Sequence, residues 1–314
     1  MSTVTAVLQS LAPQSWYWSQ NAGSALVEDT VKEPQAEKPE KTLGESLRPL
    51  ITHFVEEDLE YTPRHPRDNR ALWKAADNYA KQTGVPRDDG SRSTKIFQTG
   101  VMRRASSLPL LQAWADLLRL TYTYWDPAPA NFIVTASLNF LNSNLLQTGA
   151  AFRGIAATAA ANGEKGHPNN SGRSWARYVR EKDGGGDAVA YFTFPKSMYP
   201  NQEEYLECIP DLARYINLAN DILSFYKEER AAENDNYISQ IAMYENKDKM
   251  AVVEDLIGDV AQAVARIRAT IKGKEPYASA VEDHILGYVA FHKLSPRYRL
   301  SEVGLGEESF KVVS

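Results

Sequence analysis

One cysteine, Cys208, is the whole thiol inventory of this 314-residue chain. A lone cysteine excludes an internal disulfide framework and a cysteine-based zinc site, and it reads as a small core residue. Runs rich in Lys and Arg are missing too. The basic residues are scattered and the net charge is -5, which argues against general nucleic-acid affinity. No stretch approaches the roughly 20 apolar residues needed to span a bilayer. Residues Thr3 to Leu11 are mildly apolar, but they have no basic start and no cleavage-like context, so they do not read as a secretory signal. The expected setting is a reducing compartment, the cytoplasm. Period-2 alternation between hairpin turns is absent, and no segment repeats at a fixed period.

What is present is helical spacing. With 43% hydrophobic residues the chain can build a real core. Residues 1–46 read as a polar, disordered arm, because Glu28 to Glu45 is rich in Lys, Glu and Pro; residues 47–314 read as one domain. Within it the pattern predicts helices over Leu47–Leu59, Asn69–Gln82, Leu108–Tyr124, Asn131–Leu146, Arg173–Lys182, Glu203–Ala232, Asn236–Asn246, Met250–Ile271 and Tyr277–Leu294. The breaks fall at Pro63-Arg64-His65-Pro66, at Gly84 and Pro86, at Pro127 and Pro129, in the Gly-, Asn- and Pro-rich stretch Asn162 to Gly172, and at Gly184-Gly185-Gly186. Asn131 to Leu146 carries no charge, so it is expected to be central and largely buried. The fold class is all-α.

The strongest local signal is the string Asn220-Asp221-Ile222-Leu223-Ser224-Phe225-Tyr226-Lys227-Glu228. Asn220, Ser224 and Glu228 are spaced i, i+4 and i+8, which puts them on one helix stripe about two turns long. An amide carbonyl, a hydroxyl and a carboxylate are all oxygen donors. Such a set suits Mg²⁺, which prefers oxygen, keeps several waters and commonly bridges to substrate phosphates. Lys227 lies beside the stripe and offers a point charge. Spacing alone leaves open an ordinary polar face on a solvated helix.

The string N-D-x-x-S-x-x-K-E resembles the Asn-Ser-Glu metal motif of class I terpene cyclases, and its Ser-Phe-Tyr-Lys-Glu form resembles the fungal trichodiene synthase family in particular. Arg297-Tyr298-Arg299-Leu300 resembles that family's Arg-Tyr basic motif. Tyr178-Val179-Arg180 is similar in spacing to the segment that supplies its diphosphate-sensing arginine, and Asn131 to Leu146 to its central helix. The resemblance covers roughly Leu108 to the C-terminus well and Leu47 to Met102 weakly. It implies a class I isoprenoid synthase-like bundle of antiparallel helices around a central apolar cavity, farnesyl diphosphate as substrate, a trinuclear Mg²⁺ cluster and homodimers. It implies that Asn220, Ser224 and Glu228 bind one Mg²⁺, and that Arg180, Lys227, Arg297 and Tyr298 contact diphosphate, with Arg180, Arg297 and Tyr298 catalytic. Phe132, Phe140, Tyr191, Phe192 and Tyr215 are candidates for facing an allylic cation, at about 0.5–2 kcal/mol each, or for plain core packing.

The family's second metal motif, D-D-x-x-D at a helix end, is not found. Asp88-Asp89-Gly90 is the only adjacent aspartate pair and reads as a loop pair; Asp116 and Asp126 are isolated and read as surface residues. The helix that should carry the motif belongs between Met102 and Leu108, where the two flanking pieces almost abut. One to two helices' worth of chain is expected to be missing around Met102 to Ser106. In the basic motif, Ser295 and Pro296 stand where the family has an acidic and a basic residue. Two competing readings remain: a non-catalytic homologue that still binds a prenyl diphosphate, and a helical scaffold with no diphosphate affinity. A chain-joining prenyltransferase would want two aspartate-rich motifs.

Overall fold

A computed structural model of the chain describes residues 42–62, 109–152, 154–155 and 173–306. Among these residues there are helices and turns and no strand, so the all-α expectation holds. The expected helix over 69–82, the pair Asp88 and Asp89, and the junction at Met102 to Ser106 lie outside the described residues.

The first helix, α1 (Leu43–His53), runs into one wider turn over Phe54–Asp58. It begins four residues before the expected Leu47. Thr42 and Glu45 make a capping box there: the Glu45 amide donates to Thr42 Oγ1 at 3.3 Å, and the Thr42 amide donates to Glu45 Oε2 at 2.8 Å. Next come α2 (Pro109–Tyr124) and α3 (Pro127–Gln147). Pro127 opens α3 from within rather than standing before it, because a first-turn residue has no intrahelical use for an N–H. The remaining helices are α4 (Arg173–Asp183), α5 (Gly186–Phe192), α6 (Ile209–Arg230), α7 (Tyr237–Glu245), α8 (Lys249–Ile271) and α9 (Tyr277–Leu294).

Helix α6 starts later than the expected Glu203. Pro210 confines the helix start to its own first turn, since its ring would clash with the carbonyl four residues upstream. The residues before it form two single turns, Gln202–Glu204 and Leu206–Cys208. Cys208 is 1% exposed, as expected of a core residue, and burial pushes its thiol up to about 12.

The core is built around α6, which is buried along most of its length from Ile209 to Phe225 and packs chiefly on α8 and α5. Helix α8 shows why: Val252, Val253, Leu256, Ile257, Val260, Val264, Ile267 and Ile271 recur at helical spacing and all point inward. Asp248 caps it, accepting from the Met250 amide at 2.8 Å. Helices α1, α7 and α9 complete the packing around α6.

Contrary to the expectation of a central, largely buried helix, the uncharged helix α3 is buried along one face only. One face packs on α2, α4 and α5 through Ala130, Ile133, Ala136 and Leu141, while Phe132 is 56% exposed and Leu138 and Leu146 are exposed as well. Lack of charge did not mean burial. Its small polar side chains bond back to its own carbonyls: Ser137 to Ile133 at 2.8 Å and Asn144 to Phe140 at 2.7 Å.

Candidate functional site

Three elements converge on the middle of α6. Asn220, Ser224 and Glu228 form the predicted stripe, with Asn220 8% and Ser224 2% exposed. Helix α4 delivers Arg180, α9 delivers His292, and the turn Pro296–Tyr298 delivers Arg297 and Tyr298.

The approach of α4 and α5 to α6 depends on glycine. A Cβ at Gly184 would lie 2.1 Å from Asn217 Oδ1, and one at Gly186 would lie 2.5 Å from the Ala213 carbonyl oxygen. Between them Gly185 takes φ 62°, in the left-handed region. What reads in sequence as a helix breaker is the seam that lets Arg180 reach α6.

Arg180 is buried and four of its five N–H groups are engaged. Its Nε donates to Asp221 Oδ2 at 2.8 Å, Nη1 to Asp183 Oδ1 at 3.2 Å, and Nη2 to the Asn217 carbonyl at 2.8 Å and Asn220 Oδ1 at 3.4 Å. Burial works against the guanidinium's charge, but Asp221 and Asp183 outweigh it and hold the pKa above its ordinary value. Burial also pushes the Asp221 carboxyl up, to about 7, against the pull of Arg180.

At the other end of the stripe the Ser224 hydroxyl donates to Glu228 Oε1 at 2.6 Å. Lys227 Nζ lies 3.3 Å from Glu228 Oε1 and 3.5 Å from Glu233 Oε2, so the predicted cation is held on the stripe's own carboxylate. Tyr298 is buried, and burial raises the pKa of its hydroxyl. The Arg297 guanidinium carbon sits 5.7 Å from the centre of the Tyr298 ring.

Between Asn220 and Tyr298 lies His292, fully buried. Its Nε2 is 3.0 Å from Asn220 Nδ2, its Nδ1 is 2.8 Å from the Tyr288 carbonyl oxygen, and its ring centre is 4.1 Å from that of Tyr298. Burial pushes its pKa down to about 4, so the ring is neutral near pH 7.

The structure thus brings together Asn220, Ser224, Glu228, Arg180, Lys227 and Tyr298, with Arg297 beside Tyr298. Sequence reasoning missed Asp183, Asp221, Glu233 and His292. Asp221 was visible inside the motif string, but one residue off the stripe it turns through about 100°, toward α4 and Arg180. For His292 the only signal was an imidazole on a mostly apolar helix. Of the aromatic candidates, Tyr215 is fully buried and donates to the Ile285 carbonyl at 2.8 Å, and Phe192 packs on Trp125. Both are core residues. Phe132 stacks on Tyr191 with ring centres 5.4 Å apart, and Phe140 is half-buried. Asp116 is exposed and pairs with Arg119 at 2.5 Å, as expected of a surface residue; Asp126 accepts from Gln202 at 2.9 Å.

Among the described residues no cluster of three or more His, Cys, Asp or Glu side chains is placed to hold a metal. The stripe supplies a different donor set, one carboxylate with a hydroxyl and an amide. All three are oxygen donors of the kind magnesium takes, and two of them, Ser224 Oγ and Glu228 Oε1, are 2.6 Å apart, near the oxygen–oxygen edge of about 3 Å in an octahedron with bonds of about 2.1 Å. Among the described residues no helix is long and apolar enough to cross a membrane.

Comparison with known proteins gives the same direction. The sequence model of the trichodiene synthase (TRI5) family matches residues 140–309. Longiborneol synthase CLM1 of Gibberella zeae is 34% identical over 87% of this chain and 92% of its own length. Terpene synthase BipA of Cochliobolus sativus is 33% identical over 68% of this chain and 63% of its own. The (E)-beta farnesene synthase of Metarhizium brunneum is 28% identical over 79% and 72%. The alignment with the longiborneol synthase runs over 324 positions while taking in 87% of this 314-residue chain. Several tens of that relative's residues therefore have no counterpart here.

Proposed function

Because the chain belongs to the trichodiene synthase family of terpene cyclases, we propose that it cyclises a prenyl diphosphate, farnesyl diphosphate, in a magnesium-dependent reaction of terpenoid biosynthesis. The observation that carries this reading is the convergence of Asn220, Ser224, Glu228, Arg180 and Tyr298 from three separate elements on one largely buried spot. A generic helical scaffold has no use for that arrangement.

In this reading Asn220 Oδ1, Ser224 Oγ and the Glu228 carboxylate hold Mg²⁺. The ion, when bound, supplies positive charge to the diphosphate oxygens as the carbon–oxygen bond breaks. Both electrons of that bond leave with the diphosphate, and an allylic cation remains on the hydrocarbon. Arg297 grips phosphate oxygens with its planar fork, Arg180 offers its charge and its one uncommitted Nη1 N–H, Lys227 adds a point charge and the Tyr298 hydroxyl donates a hydrogen bond. Charge stabilisation of this kind works best where donors are fixed in advance and water is excluded. Arg180, held by three acceptors before any ligand arrives, meets that condition. Loss of a proton from the cyclised cation would complete the reaction and release a hydrocarbon.

A second reading has its own support. The aspartate-rich motif is not in the sequence, several tens of the longiborneol synthase's aligned residues have no counterpart in this chain, and α3 carries exposed Phe132, Leu138 and Leu146. These favour a homologue that binds prenyl diphosphate without turning it over. Incubation with farnesyl diphosphate and Mg²⁺, with volatile products read by mass spectrometry, separates the two. Terpene above a Glu228→Ala control supports cyclisation. Mg²⁺-dependent diphosphate binding without product supports the second reading, and no binding at all overturns both.

A further inference from the structure

We propose that His292 is a positioning residue for the magnesium site, fixing which end of the Asn220 amide faces the ion. The inference rests on the magnesium reading above.

The argument starts from what each atom can do. The Tyr288 carbonyl oxygen can only accept, and it lies 2.8 Å from His292 Nδ1, so Nδ1 carries the ring proton. The ring is fully buried against an amide, a carbonyl and two tyrosine rings, with no carboxylate among these contacts to hold a second proton, so Nε2 is a lone pair. That lone pair faces the Asn220 amide at 3.0 Å, so the amide end placed there must be Nδ2. Oδ1 is thereby turned to the other branch, where Arg180 Nη2 approaches at 3.4 Å. Rotating the amide by half a turn would set Oδ1 against the Nε2 lone pair and Nδ2 against a guanidinium. Both contacts would become repulsive.

The orientation matters because an amide nitrogen has no lone pair to offer a cation. An aspartate presents oxygen either way round, whereas an asparagine ligand works in one of its two orientations. The ring that enforces the choice is itself confined: it is fully buried, with Tyr288 at 4.7 Å and Tyr298 at 4.1 Å between ring centres. Such outer partners hold ligand groups in place, and losing one typically costs ten- to a hundredfold, on the order of that range, in metal affinity.

Two measurements test this on the full chain. The first needs no folding-sensitive variant. In long-range proton–nitrogen spectra of ¹⁵N-histidine-labelled wild type, His292 should be the Nδ1–H tautomer; an Nε2–H ring would overturn the proposal. The second titrates Mn²⁺ in the presence of inorganic diphosphate, followed by electron paramagnetic resonance. His292→Leu should weaken Mn²⁺ binding about tenfold or more. His292→Gln, whose Oε1 can accept at the Nε2 position, should restore most of it. Wild-type affinity in His292→Leu alongside loss in Glu228→Ala would sink the role of His292 alone, as would equal weakness of the Leu and Gln variants. Equal binding by wild type and Glu228→Ala would sink the metal reading, and this role with it.

Discussion

Replacing Arg180 by methionine keeps the packing of its stem and removes its charge, and the expected loss can be worked from its partners. Arg180 is 9% exposed and sits on two carboxylates, Asp221 at 2.8 Å and Asp183 at 3.2 Å, and two further oxygens. Removing one member of a buried pair strands the other, at a typical cost of about 3–5 kcal/mol. Here protonation limits the damage. The Asp221 carboxyl is already pushed up to about 7 with Arg180 present, and without that pull it must rise further. A carboxyl whose folded pKa exceeds its unfolded value stabilises at low pH and loses that contribution as pH rises through the folded pKa. In Arg180→Met, stability should therefore fall by about 1.4 kcal/mol per pH unit above neutrality, or about 2 kcal/mol from pH 7 to 8.5. The wild type, with Asp221 about half ionised at pH 7 and almost wholly so at pH 8.5, should lose only about 0.4 kcal/mol over that range. Urea unfolding followed by tryptophan fluorescence, extrapolated linearly at each pH, gives the numbers. Adding Asp221→Asn should flatten the slope and recover more than half the loss at pH 8.5. A variant that loses under about 1 kcal/mol with no pH slope, or a double variant no more stable than Arg180→Met, would refute the reasoning.

Three other outcomes are expected. Gly186→Ala drives a Cβ to 2.5 Å from the Ala213 carbonyl oxygen, and since backbone cannot step aside, thermal unfolding should show a loss of about 1–3 kcal/mol. Asp248→Ala removes the α8 cap that receives the Met250 and Ala251 amides and should cost about 1 kcal/mol, with Asp248→Asn costing much less; urea midpoints compare them. His284, bonded to Thr193 at 3.0 Å, has its pKa pushed down to about 4 by burial, so the unfolded chain takes up the proton first as pH falls. Stability present above pH 6.5 should drop by up to about 3 kcal/mol on the way to pH 4, and His284→Gln should flatten that part of the pH–stability curve.

Much of the fold was legible because its helices carry local marks. Tyr277–Leu294 was expected and found with the same limits, α7 is shorter than expected by one residue at each end, and α8 starts one residue earlier. The stripe on α6 was legible because i, i+4, i+8 spacing is a property of one helix. The errors lie where one residue acts through geometry. Pro210 delayed α6, Thr42 and Glu45 advanced α1, and α3 turned an apolar face outward although it carries no charge. The partners of the stripe were illegible for a different reason. Asp221 and His292 matter only through contacts between helices dozens of residues apart in sequence, such as the 41 positions between Arg180 and Asp221, and single-chain periodicity carries no information about those; Asp183, three residues past Arg180 on the same helix, was within reach of helical spacing.

The buried thiol at the head of α6 amounts to a built-in reporter. Thiolate is the reactive form, and a group held at about 12 and 1% exposed presents almost none to solution. Alkylation of the native chain must therefore wait for the Leu206–Cys208 turn to open. With no second cysteine to confuse the count, the labelling rate relative to an unstructured thiol reads the opening free energy of that one corner. Run with and without Mg²⁺ and diphosphate, the same clock would tell whether a ligand bound at the middle of α6 stiffens the end of it.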